Sequence, residues 1–167
     1  GVPVGLINVL TGPDAALGEA LVGHPGIAKV AMTGSTRVGK QIFTSCAPSL
    51  KRISLELGGH CPAIVCADAD LDLAAKVLSY KGFRNCGQSC SSVNRVFAHE
   101  SIHDALVERL SNEAQSMTMG DGITDPKVDL GPLTTAATRA LVENHVADAI
   151  EHGAKLICGG SCPSDVA

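Results

Sequence analysis

The stretch Ile27-Ala28-Lys29-Val30-Ala31-Met32-Thr33-Gly34-Ser35-Thr36-Arg37-Val38-Gly39 decides the fold. Ile27–Met32 reads as a short apolar strand. Thr33-Gly34-Ser35-Thr36 then breaks it with a glycine and hydroxyl side chains. A helix follows, with Val38, Ile42 and Cys46 recurring on one face. Farther on, Ile53, Leu55 and Leu57 alternate with Ser54 and Glu56, the period-two pattern of a half-buried strand, and Gly58-Gly59 ends it. Strand, helix and strand in that order call for an α/β architecture with largely parallel strands, because parallel neighbours need a crossover.

The same alternation runs outward in both directions. Upstream, Leu6–Val9 reads as a strand. Pro13-Asp14 opens a helical stretch to about Val22, broken by His24-Pro25-Gly26. Downstream, Ala63–Cys66 is a strand, and Asp68 or Asp70 caps a helix whose stripe is Leu71, Ala74, Ala75 and Leu78. Gly82–Ser92 interrupts the regular pattern. Val93–Ala98 is a strand. A helix from Ser101 carries Ile102, Leu106, Leu110, Ala114 and Met117. Asp121–Pro132 is loop, Thr134–His152 a helix, and Lys155–Cys158 a last strand. Internal repeats and low-complexity tracts are absent.

Composition bounds the function classes. Of 167 residues, 45% are hydrophobic and 18% charged, so the chain fills a core and is not a disordered tail. The net charge of −4 argues against nonspecific nucleic-acid binding, which needs a basic face. Aromatics at 2% disfavour base-stacking platforms. No apolar run reaches the roughly 18 residues that would span a bilayer. The seven cysteines form an odd set without a Cys-x-x-Cys pair, which disfavours a disulfide scaffold and suits a reducing cytoplasm or organelle matrix. The chain opens Gly1-Val2-Pro3 and ends soon after Gly159-Gly160, so both ends read as cut from something longer.

Three segments carry candidate chemistry. The first is Thr33-Gly34-Ser35-Thr36-Arg37-Val38-Gly39, where a helix N-terminus offers free N–H groups and the positive dipole end to a phosphate. It is not the G-x-G-x-x-G fingerprint, and a plain N-cap by Ser35 or Thr36 explains it equally. The second is Glu56 in Leu55-Glu56-Leu57-Gly58-Gly59. A carboxylate between leucines at a strand end can serve as a general base, or it is an outward-facing charge. The third is Phe83-Arg84-Asn85-Cys86-Gly87-Gln88-Ser89-Cys90, which places two cysteines in an irregular polar segment. A thiolate there is a strong nucleophile towards a carbonyl carbon, and a buried bystander thiol is the other reading. Cys46, Cys66 and Cys158 fall on a helix face and in strands, where packing explains them.

Metal ligation is not expected. His60-Cys61, Cys86 with Cys90, His99 with His103 and Cys158 with Cys162 lack the order of a structural zinc site. Asp68, Asp70 and Asp72 lack the glycine and bidentate Glu of a calcium loop and suit a helix N-terminus.

Taken together, Thr33-Gly34-Ser35-Thr36-x-x-Gly39, Leu55-Glu56-Leu57-Gly58-Gly59 and Asn85-x-Gly87-Gln88-x-Cys90 resemble the aldehyde dehydrogenase superfamily. Their order and the 34-residue gap between Glu56 and Cys90 match as well. Weaker echoes are Asp68-Ala69-Asp70-Leu71-Asp72, Gly131-Pro132-Leu133 and Pro3-x-Gly5-Leu6-Ile7-Asn8-Val9. His60 stands where Lys is common, and Met32 where Phe is common. The resemblance implies the second half of a Rossmann-like cofactor domain over 1–59, joined to the first half of an α/β catalytic (thiol) domain over 60–167.

The resemblance also implies roles. Cys90 would be the nucleophile, forming a thiohemiacetal and then a thioester. Glu56 would be the base that activates the hydrolytic water and, in a second reading, the thiol as well, meeting Cys90 across one pocket. NAD or NADP would bind with its pyrophosphate at Ser35, with Gly34 and Gly39 allowing close approach and Gly58 running beside the nicotinamide. Oxyanion donors would be the Cys90 N–H and an Asn that the family places upstream of Gly1. The ribose-binding Lys lies upstream too, and the ribose-binding Glu lies beyond Ala167, so the 167 residues alone are expected to be inactive. Phe83-Arg84-Asn85-x-Gly87-Gln88-x-Cys90 is similar to the succinate-semialdehyde dehydrogenase branch, in which Arg84 would clamp the far carboxylate; a surface or structural ion pair is the other reading. Cys86 would then be a bystander or a reversible disulfide partner of Cys90. The implied partner is a small-molecule aldehyde, without nucleic acid or membrane, in a homo-oligomer of the whole protein.

Overall fold

The computed structural model describes residues 1–12 and 15–162. The chain divides into two compact units, the first closing at Gly58 and the second beginning at Gly59. The architecture is α/β in both. In the first unit, helix α1 (Ala16–Gly23) precedes strand β1 (Lys29–Gly34), helix α2 (Thr36–Cys46) and strand β2 (Arg52–Leu57). β1 and β2 pair in parallel, as the crossover by α2 demands. Pro13 and Asp14, read as opening the first helix, lie outside the described residues.

The strands alternate as the sequence asks. Val30, Met32, Ile53, Leu55 and Leu57 are half-buried, while Lys29, Ala31, Thr33, Arg52, Ser54 and Glu56 are exposed. Cys46 is fully buried at the end of the Val38–Ile42–Cys46 stripe. α2 packs close: a Cβ added at Gly39 would stand 2.6 Å from Leu57 Cδ2. Lys51 is also buried, and its ammonium donates to the carbonyls of His24 at 2.6 Å and Ile27 at 2.8 Å. A buried ammonium is tolerable only when so partnered, and here it closes the loop that leads into β1.

In the second unit, strand β3 (Cys61–Val65) leads to helix α3 (Leu71–Phe83), capped by the Asp70 carboxylate, which accepts from the N–H groups of Asp72 and Leu73. Strand β4 (Val93–Ala98) lies parallel to β3, and helices α4 (His103–Ser116) and α5 (Ala136–Glu151) follow. Val65, Ala75, Leu78, Ile102 and Leu106 form the core, from β3, α3, the turn before α4 and α4 itself. An Arg109–Asp72 ion pair at 2.6 Å ties α4 to α3.

Two expected strands do not form. Leu6–Val9 is turn and irregular backbone, with the Leu6 N–H donating to the Pro3 carbonyl. Lys155–Cys158 is likewise irregular. A largely apolar run without a neighbouring strand has nowhere to place its backbone hydrogen bonds, and no described strand pairs with either segment. The described β4 begins where expected, but β3 begins at Cys61 and leaves Cys66 outside it, exposed.

Candidate active site

Parallel pairing brings the first two motifs to one sheet edge. Thr33 pairs with Glu56 and Gly34 with Leu57, so both motifs leave the sheet at the same, carboxyl, ends. Open parallel sheets bind ligands at that edge. Ser35 is the N-cap of α2: its Oγ accepts from the Val38 N–H at 3.3 Å. The capping reading and the phosphate reading are compatible, because an accepting hydroxyl keeps its own proton to donate. The first-turn N–H groups ahead of Val38 have no helical acceptor.

Glu56 is exposed on the face of β2 that carries Arg52 and Ser54, and it pairs with no cation among the described residues. Gly58 has open space where a Cβ would stand. Gly34 would bring a Cβ within 3.0 Å of Met32 Sδ. Gly39 is spent on the contact with Leu57. An open groove of about 930 Å³ runs between α1 and α2, bordered by Val22, Arg37, Val38 and Ile42.

The second unit shapes the third motif. α3 ends at Phe83 and the chain turns through Arg84–Gly87 with three consecutive positive φ angles: Asn85 at 54°, Cys86 at 55° and Gly87 at 72°. Asn tolerates this region and Gly favours it, but a Cys there costs about 1–2 kcal/mol. Side chains hold the turn. Gln88 Nε2 donates to the Asn85 carbonyl at 3.0 Å, while Asn85 Nδ2 donates to the Gln88 carbonyl at 3.2 Å. Gln88 Oε1 accepts from the N–H of Thr134 at 2.9 Å and from its hydroxyl at 2.5 Å. The Cys86 thiol donates to the Gly131 carbonyl at 3.1 Å.

Cys90 follows this turn and is exposed. Its N–H donates to no described residue, and its carbonyl accepts from the Cys61 thiol at 3.2 Å. β4 carries a bulge at its start, where Cys61 pairs with Val93 and Pro62 with Arg95, and the skipped Asn94 contacts His60 Nδ1 at 2.8 Å. Arg84 is exposed and makes no ion pair among the described residues. With Lys81, Asn85, Gln88 and serines 89, 91 and 92 it borders a cavity of about 420 Å³. Among the described residues, no two cysteines are joined in a disulfide. Among the described residues, no group of three or more His, Cys, Asp or Glu side chains could hold a metal, and no helix is long and apolar enough to cross a membrane.

Lys51 and Thr134 were not singled out by the sequence, and Cys61 was weighed only as a metal ligand beside His60. Only the Gly131-Pro132-Leu133 echo hinted at Thr134, since it immediately precedes it.

The chain is 43% identical over 160 residues to the NADP(+)-dependent succinate-semialdehyde dehydrogenase GabD of Escherichia coli, covering 96% of this chain and 33% of that protein. It is 44% identical over 161 residues to a phenylacetaldehyde dehydrogenase of Pseudomonas fluorescens, covering 96% and 32%. The crystal structure of an NAD-dependent aldehyde dehydrogenase from Sinorhizobium meliloti superposes with a TM-score of 0.95 at 39% identity, covering 98% of this chain and 32% of that one. The chain thus spans about a third of the length of the relatives it matches. The family model described as aldehyde dehydrogenase family matches residues 1–166, and the chain belongs to that family.

Proposed function

We propose that the whole protein containing this chain is an NAD(P)-dependent dehydrogenase of a short aldehyde with a distal carboxylate, succinate semialdehyde being the type, and that Cys90 is its nucleophile. The observation that carries the reading is the state of Cys90: an exposed thiol whose N–H donates to no described residue, at the end of a turn held in left-handed backbone. In this reading the thiolate attacks the aldehyde carbon. The oxygen becomes an oxyanion, to which the Cys90 N–H donates. Loss of hydride from that carbon leaves a thioester on Cys90. Glu56 takes a proton from water, the hydroxide attacks the thioester, and the carboxylate departs as the Cys90 thiolate is restored.

The first unit fits a dinucleotide. Gly34, the Ser35 hydroxyl and the first N–H groups of α2 suit a pyrophosphate, and the α1–α2 groove beside them suits a flat base. Gly58, open at the strand edge, leaves room for the other end. When bound, the nicotinamide supplies the hydride acceptor. NAD and NADP both appear in the names of relatives. Gly39 serves this arrangement by seating α2 on β2.

The substrate class rests on Arg84. An exposed guanidinium with no ion pair among the described residues, six residues before Cys90 and with Lys81 on the same cavity, suits a carboxylate at the far end of a short chain. The whole protein is read as a homo-oligomer, and the odd set of cysteines without a Cys-x-x-Cys pair supports a reducing compartment, cytoplasmic or mitochondrial. The 167 residues alone are expected to turn over no substrate.

The test is reduction of NAD⁺ or NADP⁺ by the whole protein with succinate semialdehyde and with an uncharged aldehyde of equal length. Arg84→Ala is expected to raise KM for the semialdehyde about 10–100-fold and to leave the uncharged aldehyde nearly unchanged, the effect of losing one charge-assisted pair. No reduction with either aldehyde overturns the reaction. An unaltered preference in the variant overturns the carboxylate assignment.

A further inference from the structure

We propose that Gln88 and Thr134 form a clamp that positions Cys90, a role that rests on the reading of Cys90 as nucleophile. The Gln88 amide is used at both ends. Oε1 takes two hydrogen bonds from Thr134, and Nε2 gives one to the Asn85 carbonyl. A second tie, from the Cys86 thiol to the Gly131 carbonyl, reaches the same segment. The turn before Cys90 is therefore anchored twice to residues 131–134, which are 45 and 46 positions away along the chain.

The anchoring answers a specific need. Asn85, Cys86 and Gly87 all have positive φ, and side-chain-bearing residues do not hold that conformation unaided. Released from the 131–134 segment, the turn relaxes towards right-handed backbone and carries the next residues with it. Cys90 is only two residues beyond Gln88, and its own tie is the weak one from the Cys61 thiol to its carbonyl. A displacement of about 1 Å at a reacting atom is enough to cost roughly 100-fold in rate. Gln88 suits the task because a primary amide both accepts and donates. A carboxylate there would keep the bonds from Thr134 and face the Asn85 carbonyl with no proton to give. Gln88 and Thr134 act through the turn, so they are positioning residues.

The test uses the whole protein and reads two quantities, steady-state turnover and the rate at which iodoacetamide alkylates Cys90, followed by peptide mass. Gln88→Ala is expected to lower kcat roughly 100-fold with KM for aldehyde within about threefold, and to change the Cys90 alkylation rate. Thr134→Val removes one donor and keeps the side-chain shape. It is expected to lower kcat roughly 5–10-fold, and Thr134→Ser to restore it. Values within about twofold of the parent in both Gln88→Ala and Thr134→Val overturn the clamp. If Gln88→Ala does not fold, the threonine pair decides: loss in Val with recovery in Ser supports the clamp, and equal rates overturn it. Turnover retained in Cys90→Ala overturns the proposed reaction instead, and the alkylation rates still decide the clamp.

Discussion

Thr33 on β1 stands directly across from Glu56 on β2 in a parallel register. Twenty-three positions of sequence separate them, and the crossover through α2 brings them together. The relationship places the carboxylate at the same sheet edge as the N-terminus of α2, and the proposed reaction gives Glu56 the role of base in its hydrolytic half. In the whole protein, Glu56→Gln is expected to lower steady-state turnover about 10²–10⁴-fold. A first burst of reduced cofactor, one per active site, is expected to survive, because thioester formation precedes the step that needs the base. Rapid-mixing absorbance separates the two phases. Undiminished steady-state turnover removes Glu56 from the mechanism.

Gly39 is a packing residue of the first unit. A Cβ there falls 2.6 Å from Leu57 Cδ2 and 3.3 Å from Cδ1. Gly39→Ala trades a gain in helix propensity of about 1 kcal/mol against that crowding and is expected to be near neutral. Gly39→Val adds branched bulk and is expected to cost about 1–3 kcal/mol. Pairing it with Leu57→Ala should recover part of the loss, a coupling that urea unfolding of the single and double variants measures. Strictly additive losses would mean that the two side chains do not meet.

Asp129 carries an acid-side pH dependence. The N–H and hydroxyl of Thr118 both donate to its Oδ2, at 2.8 and 2.9 Å. The backbone bond first, and the hydroxyl bond second, hold the carboxyl below its ordinary value of 3.8. A depressed folded-state value stabilises the fold above the unfolded value, and the contribution is lost as pH falls through the folded value. Asp129→Asn is therefore expected to melt lower than the parent near neutrality, the gap narrowing as the solution is acidified below about pH 4. Thermal melts across that range check it. A gap that is constant or widens in acid contradicts the assignment.

Much of this was readable from local pattern. The period-two alternation at Ile53, Leu55 and Leu57 and the stripe Val38, Ile42, Cys46 identify their elements because burial acts on neighbouring residues. A carboxylate cap at Asp68 or Asp70 was legible because the first-turn N–H groups need an acceptor, and the structure selects Asp70. Leu6–Val9 and Lys155–Cys158 show the limit: apolar composition is satisfied equally by a strand and by an irregular segment, and only a pairing partner decides between them. The ties at the candidate nucleophile were invisible. Gln88 to Thr134, Cys86 to Gly131 and Cys61 to Cys90 join residues 29 to 46 positions apart, and no periodicity links them. Likewise Lys51 reads as a surface charge until the loop carbonyls of His24 and Ile27 close over it.

The central claim is that a carbon–sulfur bond forms at position 90. The most direct measurement is peptide mass spectrometry of the whole protein, quenched in acid during turnover with succinate semialdehyde and cofactor. An acyl adduct is expected on the Cys90 peptide in the parent, with accumulation in Glu56→Gln and neither adduct nor cofactor reduction in Cys90→Ala. Cofactor reduction that continues in Cys90→Ala, or an adduct borne by another cysteine, would contradict the central claim.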